Sequence, residues 1–267
     1  MKALLTLVFI DEKRNGVIKA RKCAVDSKQW TFPGYVKLEW ASPTVSTDGV
    51  IITSMIEAHQ GRTLAVVDLP NAFLNTFNNE QILMLLKEKL SELIVQIDPK
   101  LYRNYIITSA KGDPMLYVRP SKALHGLLQS ALLVYRKLRS ELEDYGFEVN
   151  PCNPCVANEM INGKQMTVTW HIDDLKILHM NSAEVIHCIN HFKKIYGDRM
   201  AIPHGKVHGY LGMDLDFSTP KVLKIGMIKY VEKVIKELPE QIKSVAATFM
   251  LRNIYSTCAR KKGQDFT

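Results

Sequence analysis

Residues 170–177, Trp-His-Ile-Asp-Asp-Leu-Lys-Ile ("WHIDDLKI"), set two adjacent carboxylates between two apolar runs. The run before them, "KQMTVTW", and the run after them, "LKILHM", both read as strands. A bare Asp–Asp pair is out of place inside a strand unless it sits at a turn or binds something. The residues upstream favour the turn. "CVANEMI", Asn162-Gly163 and "KQMTVTW" read as a hairpin, because Asn-Gly tolerates positive φ at both turn positions. Three strands therefore follow in succession, with Asp173 and Asp174 at the second turn.

Outward from that core, the pattern alternates between hairpins and helices. "TLAVVDL" is a nearly all-apolar short run, as expected of a buried strand, and it ends on Asp68. "STDGVIITSMIEAHQG" before it reads as a helix with capping side chains at Ser46 to Asp48, a shared face of Ile52, Met55 and Ile56, and a stop at Gly61. "KEKLSELIVQI" is amphipathic, with Leu90, Leu93, Ile94 and Ile97 on one side. "SALLVYRKLRSELEDYG" is the clearest helix, with a cap expected at Ser130 and a stop at Gly146. "GVIKARKCAV" reads as a strand and "SAEVIHCINHFKKIYG" as a helix. "YLGMDLDF" with "KVLKIGM" reads as a further hairpin, and "IKYVEKVIKEL" as a last helix. Hairpins mixed with packed helices imply an α+β fold with an antiparallel sheet.

If the strand ending on Asp68 is a neighbour of the hairpin that carries Asp173 and Asp174 at its tip, three carboxylates converge at one sheet edge. Such a cluster is costly unless cations neutralise it. Hard oxygen ligands without Cys or His suit Mg²⁺, and a pair of such ions about 3.5–4 Å apart serves in-line phosphoryl displacement. From spacing alone, a solvated Asp–Asp turn and an unrelated strand-end Asp remain the alternative.

Composition sets the limits. The 267 residues suffice for one or two domains with a sizeable core. No run of 18 apolar residues suggests a membrane span, and "MKALLTLVFIDEKR" lacks a cleavage site, so an intracellular protein without a signal peptide is expected. Five Cys, an odd number, argue against a disulfide scaffold. The net charge of +8 suits a polyanion such as nucleic acid, though it also serves plain solubility. Cys152-x₂-Cys155 and His187-x₃-His191 have zinc-ligand spacings, but 31 residues separate the pairs against about 12–15 in a zinc finger. Two small buried Cys and two helix-surface His are the preferred reading.

The blocks together resemble the reverse transcriptase of copia-type (Pseudoviridae) LTR retrotransposons. "SPTVSTDGVIITSMIEAHQGRTLAVVDLPNAFLN" is similar to that family's first catalytic block. "KALHGLLQSALLVYRKL" resembles its Lys-Ala-Leu-Tyr-Gly-Leu-Lys-Gln-Ser-Pro block, and "WHIDDLKI" sits where the family has Tyr-Val-Asp-Asp-Ile. "YLGMDLDF" with "MIKYVEKVIKEL" resembles the Leu-Gly block and its helix, and "EKRNGVIKARKCA" the opening. The resemblance implies a right-hand polymerase of fingers and palm, its antiparallel palm sheet packed on helices, with an incomplete thumb. Residues 1–45 would be partial fingers, 46–78 the first palm segment, 79–122 a fingers insertion and 123–217 the palm with the catalytic hairpin. Residues 218–243 would end the palm and begin the thumb, leaving 244–267 unassigned.

The resemblance also implies two-metal nucleotidyl transfer to a primer 3′-hydroxyl, with Mg²⁺ (or Mn²⁺), deoxynucleoside triphosphates and an RNA or DNA template-primer. Asp68 and Asp173 would hold both metals and Asp174 would assist. Phe73 would lie under the incoming sugar, and Lys19 and Arg21 would meet the triphosphate. His125, Gly126 and Gln129 would line the nucleotide pocket, and Gly212 would mark a turn that positions the primer. Departures from the family are His171 and His125 for Tyr, Leu128 and Pro70 for Lys, Ala131 for Pro and Thr76 for Gly. The blocks stop before a full thumb and ribonuclease H. The expectation is thus a truncated element copy, and the alternative an inactive remnant that at most binds nucleic acid.

Overall fold

The structure, a computed structural model, describes residues 3–12, 18–25, 37–200 and 205–237. In chain order its strands are β1 (Leu4–Glu12), β2 (Ile18–Ala24), β3 (Thr63–Asp68), β4 (Met84–Lys87), β5 (Ile107–Thr108), β6 (Pro114–Val118) and β7 (Glu148–Val149). They continue with β8 (Val156–Ile161), β9 (Lys164–His171), β10 (Asp174–His179), β11 (Val207–Tyr210), β12 (Met213–Asp216) and β13 (Lys224–Gly226). The helices are α1 (Lys37–Trp40), α2 (Thr47–Gln60), α3 (Lys89–Ile97), α4 (Pro99–Tyr102), α5 (Ser130–Tyr145), α6 (Ser182–Tyr196) and α7 (Ile228–Glu237). The fold is α+β, with every described strand pair antiparallel except β1–β4.

The sheet ordered β3-β10-β9-β8-β7 organises the core. Asn162 (φ 50°) and Gly163 (φ 71°) turn β8 into β9, as a two-residue loop with both positions left-handed must. Successive side chains in a strand alternate between faces. Met166, Val168 and Trp170 of β9 therefore share a face with Leu175 and Ile177 of β10, and all five are fully buried. Helix α5 covers this face. Its Tyr135 ring stacks 6.1 Å from Trp170, and Leu138 and Leu142 are fully buried. Each such Leu contributes about 1.5–3 kcal/mol of burial. Helix α6 adds Ile189 and Phe192, and is tied to α5 by the Tyr196 hydroxyl donating to Glu141 Oε2 at 2.6 Å.

The opposite face of the sheet carries Thr167 and Thr169 of β9 and Lys176 of β10, all buried, and α2 lies over it. Helix α2 starts as expected: Ser46 Oγ accepts from Gly49 N at 3.0 Å, and Gly61 (φ 65°) ends it. Its buried residues, however, are Val50, Ser54 and Glu57. Ile52, Met55 and Ile56, the apolar face read from the sequence, are exposed at 56%, 58% and 40%. The helix is rotated so that its polar residues meet Lys176. In α3, likewise, Leu93 and Ile97 are exposed and the buried position is Ser91. Helix α5 begins one residue earlier than read. Gln129 occupies the cap position and its side chain does not cap the helix, while the Ser130 hydroxyl accepts from Leu124 N at 3.1 Å.

The second sheet runs β2-β1-β4-β6-β5. It is joined to the segment before α5 by Ala24 N donating to His125 O at 2.9 Å. Gly126 (φ 80°) makes that approach feasible, since a Cβ there would stand 2.1 Å from Ala24 O. In the third sheet, β11-β12-β13, Leu211 (φ 51°) and Gly212 (φ 79°) form a tight turn inside the stretch read as one strand. Residues 1–226 form one compact unit and 227–267 another, of which α7 is described; the expected tail 244–267 lies outside the described residues. No described helix is long and apolar enough to cross a membrane.

Candidate active site

The backbone brings Asp68 and Asp174 opposite each other. Strands β3 and β10 are hydrogen-bonded neighbours whose register pairs Asp174 with Asp68, then Lys176 with Val66. On β10's other side, Asp174 pairs with His171. Asp173 lies in the two-residue turn between β9 and β10, beside Ile172, whose φ of 57° reverses the chain. Its carbonyl accepts from Leu69 N at 2.8 Å, which pins the turn to the end of β3. By strand alternation Asp68 and Asp174 fall on the face that carries Lys176, not on the face packed by α5.

The electrostatics agree with this convergence. Burial pushes the Asp174 carboxyl above its ordinary range; Asp173 and Asp68 push it further, and His171 opposes them. Asp68 is exposed, whereas Asp173 and Asp174 are half-buried. Among the described residues, no three His, Cys, Asp or Glu side chains stand in an arrangement ready to hold a metal. The donor set still fits a hard divalent cation in its chemistry: three carboxylates at one edge, one of them carrying repulsion that a cation would relieve.

Behind the carboxylates is a polar cluster that the sequence reading passed over. Lys176 is fully buried, and its Nζ donates to Ser54 Oγ at 2.5 Å, Thr53 Oγ1 at 2.9 Å and Val50 O at 3.4 Å. Glu57, one turn further along α2, is 2% exposed. Burial raises the Glu57 carboxyl and lowers the Lys176 ammonium, and each partner's charge opposes the other's shift. The signal was present as a lone Lys inside the apolar run "LKIL", but strand alternation alone cannot say that its face is covered. Tyr210, at the end of β11, is 2% exposed, and its hydroxyl is raised by burial beside Thr169 and Asp174.

The remaining expected site residues fall into two groups. After β3 the chain makes a short turn in which Asn71 (φ 56°) is left-handed and Asn75 N donates to Asn71 O at 2.9 Å. Phe73 in this turn is half-buried against the core, its ring 4.3 Å from that of His125. Thr76, where Gly was the familiar residue, is buried with its hydroxyl on Ala72 O at 2.8 Å. His125 and Gly126 are exposed and Gln129 is buried at the head of α5. Lys19 and Arg21 lie on β2, paired in register with Asp11 and Phe9. The bond from Ala24 to His125 ties their strand to the loop of Phe73's ring partner. Gly212 stands in the β11–β12 turn, on the hairpin that carries Tyr210.

The zinc-like spacing is not assembled. Cys155 is buried but Cys152 is exposed, which corrects the expectation of two buried thiols. His187 shares a 2.9 Å hydrogen bond with the Tyr145 hydroxyl, and His191 packs edge-on against the same ring at 4.8 Å.

Comparison with known sequences gives one family. The model of the family described as "Reverse transcriptase (RNA-dependent DNA polymerase)" matches residues 5–248. No curated protein matches the chain. Among solved structures, the chain is similar to an apo telomerase from Candida tropicalis truncated from its C-terminal domain, at 12% identity and a TM-score of 0.42. That similarity covers 83% of this chain and 54% of the telomerase chain, so the chain spans about half the length of that structure.

Proposed function

We propose a function from one premise: this chain belongs to the reverse transcriptase (RNA-dependent DNA polymerase) family, whose model spans residues 5–248. Within that family we assign it to the copia-type retrotransposon enzymes, on the five sequence blocks in their order. Residues 46–78 and 123–217 would form the palm, 1–45 and 79–122 the fingers, and 218–243 the start of a thumb. The reaction is transfer of a deoxynucleotide to a primer 3′-hydroxyl, copying RNA or DNA. The observation that carries the reading is the register of β3 and β10, which pairs Asp68 with Asp174 next to Asp173.

Asp68 and Asp173 would hold two divalent ions, Mg²⁺ or Mn²⁺, and Asp174 would assist. Bound there, such ions activate the attacking oxygen and stabilise the leaving phosphate. The protein's own part is positioning. The bond from Leu69 N to Asp173 O holds the turn against β3, so the two outer carboxylates keep a fixed backbone spacing. Lys176 locks β10 to α2 from behind. Phe73, braced by His125, would meet the incoming sugar, where a bulky ring excludes a 2′-hydroxyl by contact. Lys19 and Arg21 would meet the triphosphate, while Gly126 and Gln129 would border the nucleotide. Gly212 would turn the hairpin that positions the primer.

Two measurements test these assignments. Calorimetric titration with Mn²⁺ should show binding by wild type that weakens in Asp173→Asn; equal binding by both proteins contradicts a site at this edge. Phe73→Val should raise ribonucleotide use in a competition assay. Unchanged discrimination accompanied by a loss of about 1–4 kcal/mol of stability would make Phe73 a core residue only.

A further inference from the structure

Residues 121–126 are held by backbone bonds to two separate parts of the chain. Asn78 N donates to Ser121 O at 3.0 Å and Ala123 N to Thr76 O at 2.9 Å, which joins the segment to the turn after β3. Ala24 N donates to His125 O at 2.9 Å, and Cys23 and His125 pair as an isolated parallel bridge, which joins it to the end of β2. Position 126 requires glycine for this approach: its φ is 80°, and a Cβ there would stand 2.1 Å from Ala24 O. The end of β2 therefore sets where the backbone of His125 lies. Its side chain carries that position onward, because the His125 and Phe73 rings lie 4.3 Å apart, tilted by 40°. The turn that carries Phe73 is closed by its own bonds, Asn75 N to Asn71 O at 2.9 Å and Thr76 N to Phe73 O at 3.0 Å. What freedom Phe73 keeps is rotation of its side chain, bounded by the hydrophobic core and by His125.

We propose that His125 is a positioning residue for sugar selection, holding the Phe73 ring in place from a seat set by the end of strand β2. This role rests on the reading of Phe73 as the residue under the incoming sugar. It adds a coupling to that reading. The strand that carries Lys19 and Arg21 and the ring that tests the sugar are joined through one residue, so selection depends on how β2 is seated. An aromatic contact of this kind shifts an equilibrium by about two- to tenfold. Without it, Phe73 reaches rotamers that leave room for a 2′-hydroxyl.

The test is primer extension by the full chain with deoxycytidine triphosphate and cytidine triphosphate opposite a template guanine, read as the ratio of their kcat/KM values. Denaturant midpoints are taken on the same samples. His125→Ala should lower the ratio by about two- to tenfold, and His125→Phe, which keeps a ring, should preserve it. Gly126→Ala, which forces β2 away from its seat, should lower the ratio as His125→Ala does; if that variant does not fold, the His125 variants decide. His125→Ala combined with Phe73→Val should discriminate as Phe73→Val does alone, since both changes act at one ring. A merely structural role would lower the midpoint and both kcat/KM values together and leave the ratio unchanged. Relaxed selection in Phe73→Val beside an unchanged ratio in His125→Ala would overturn the role of His125 and leave the reading of Phe73 standing. Additive losses in the double variant, or a folded Gly126→Ala with the wild-type ratio, would overturn it as well. An unchanged ratio in Phe73→Val, or no extension by wild type, would remove the underlying reading and this role with it.

Discussion

The two faces of the β3-β10-β9-β8-β7 sheet are buried to similar depth by opposite chemistry. On one, Met166, Val168, Trp170, Leu175 and Ile177 meet the apolar stripe of α5. On the other, Thr167, Thr169 and Lys176 meet Ser54, Thr53 and Glu57 of α2, while α2's own Ile52 and Met55 face outward. The carboxylates Asp68 and Asp174 belong to the second face. An apolar face secures stability with little demand on direction. A buried ammonium held by hydrogen bonds near a buried carboxyl fixes geometry but returns little net stability, because desolvation consumes the electrostatic gain. The comparison assigns the first face to holding the domain together and the second to holding two acidic strand ends in register.

The largest effects should come from each face's centre. Trp170→Ala should cost about 3–5 kcal/mol, since it empties a fully buried position under Tyr135. Lys176→Met should also cost about 3–5 kcal/mol, by removing the hydrogen bonds to Thr53 and Ser54 and the stronger of the two cations that act on buried Glu57. The faces then part. Adding Glu57→Leu to Lys176→Met should restore most of the lost stability, whereas no second polar change will rescue Trp170→Ala. Denaturant midpoints of the four proteins check this; a double variant as unstable as the single one would place the polar face among the main stabilisers. The smallest effect is expected outside both faces. Ile52→Ser and Met55→Gln should each shift stability by no more than about 0.5 kcal/mol, because both side chains are already more than half exposed.

The legible parts of the fold were those fixed by local chemistry. Asn162-Gly163 dictated its turn, Ser46 and Gly61 bounded α2, and Gly146 ended α5. The α+β class followed from the succession of hairpins and helices. The neighbourhood of β3 and β10 was conditional in the sequence and is direct in the structure, since pairing between segments about a hundred residues apart leaves no local trace. The orientation of α2 was misread because hydrophobic periodicity ranks Ile52, Met55 and Ile56 above Ser54 and Glu57. The rotation is set by Lys176, 122 residues away from Ser54. Strands β1, β4 and β6 escaped for a different reason. Their sheet leaves Leu7, Val8, Phe9 and Ile10 exposed, so no alternation of polar and apolar residues marks β1. Ser130 was misassigned as a cap because its hydroxyl serves the loop at Leu124 instead.

The central claim is that the edge formed by Asp68, Asp173 and Asp174 performs nucleotidyl transfer on a template-primer held by a basic protein. Duplex binding should be electrostatic, with log K falling by about 0.7–0.9 per contacted phosphate for each decade of salt. The most direct measurement is primer extension on a defined template at low salt with Mg²⁺, run on wild type and Asp68→Asn, alongside duplex anisotropy on the same samples. Wild type should extend the primer, and Asp68→Asn should be slower by at least about a hundredfold with duplex affinity unchanged or slightly tighter. Extension by Asp68→Asn at the wild-type rate, or no extension by a wild-type protein that binds the duplex, would contradict it.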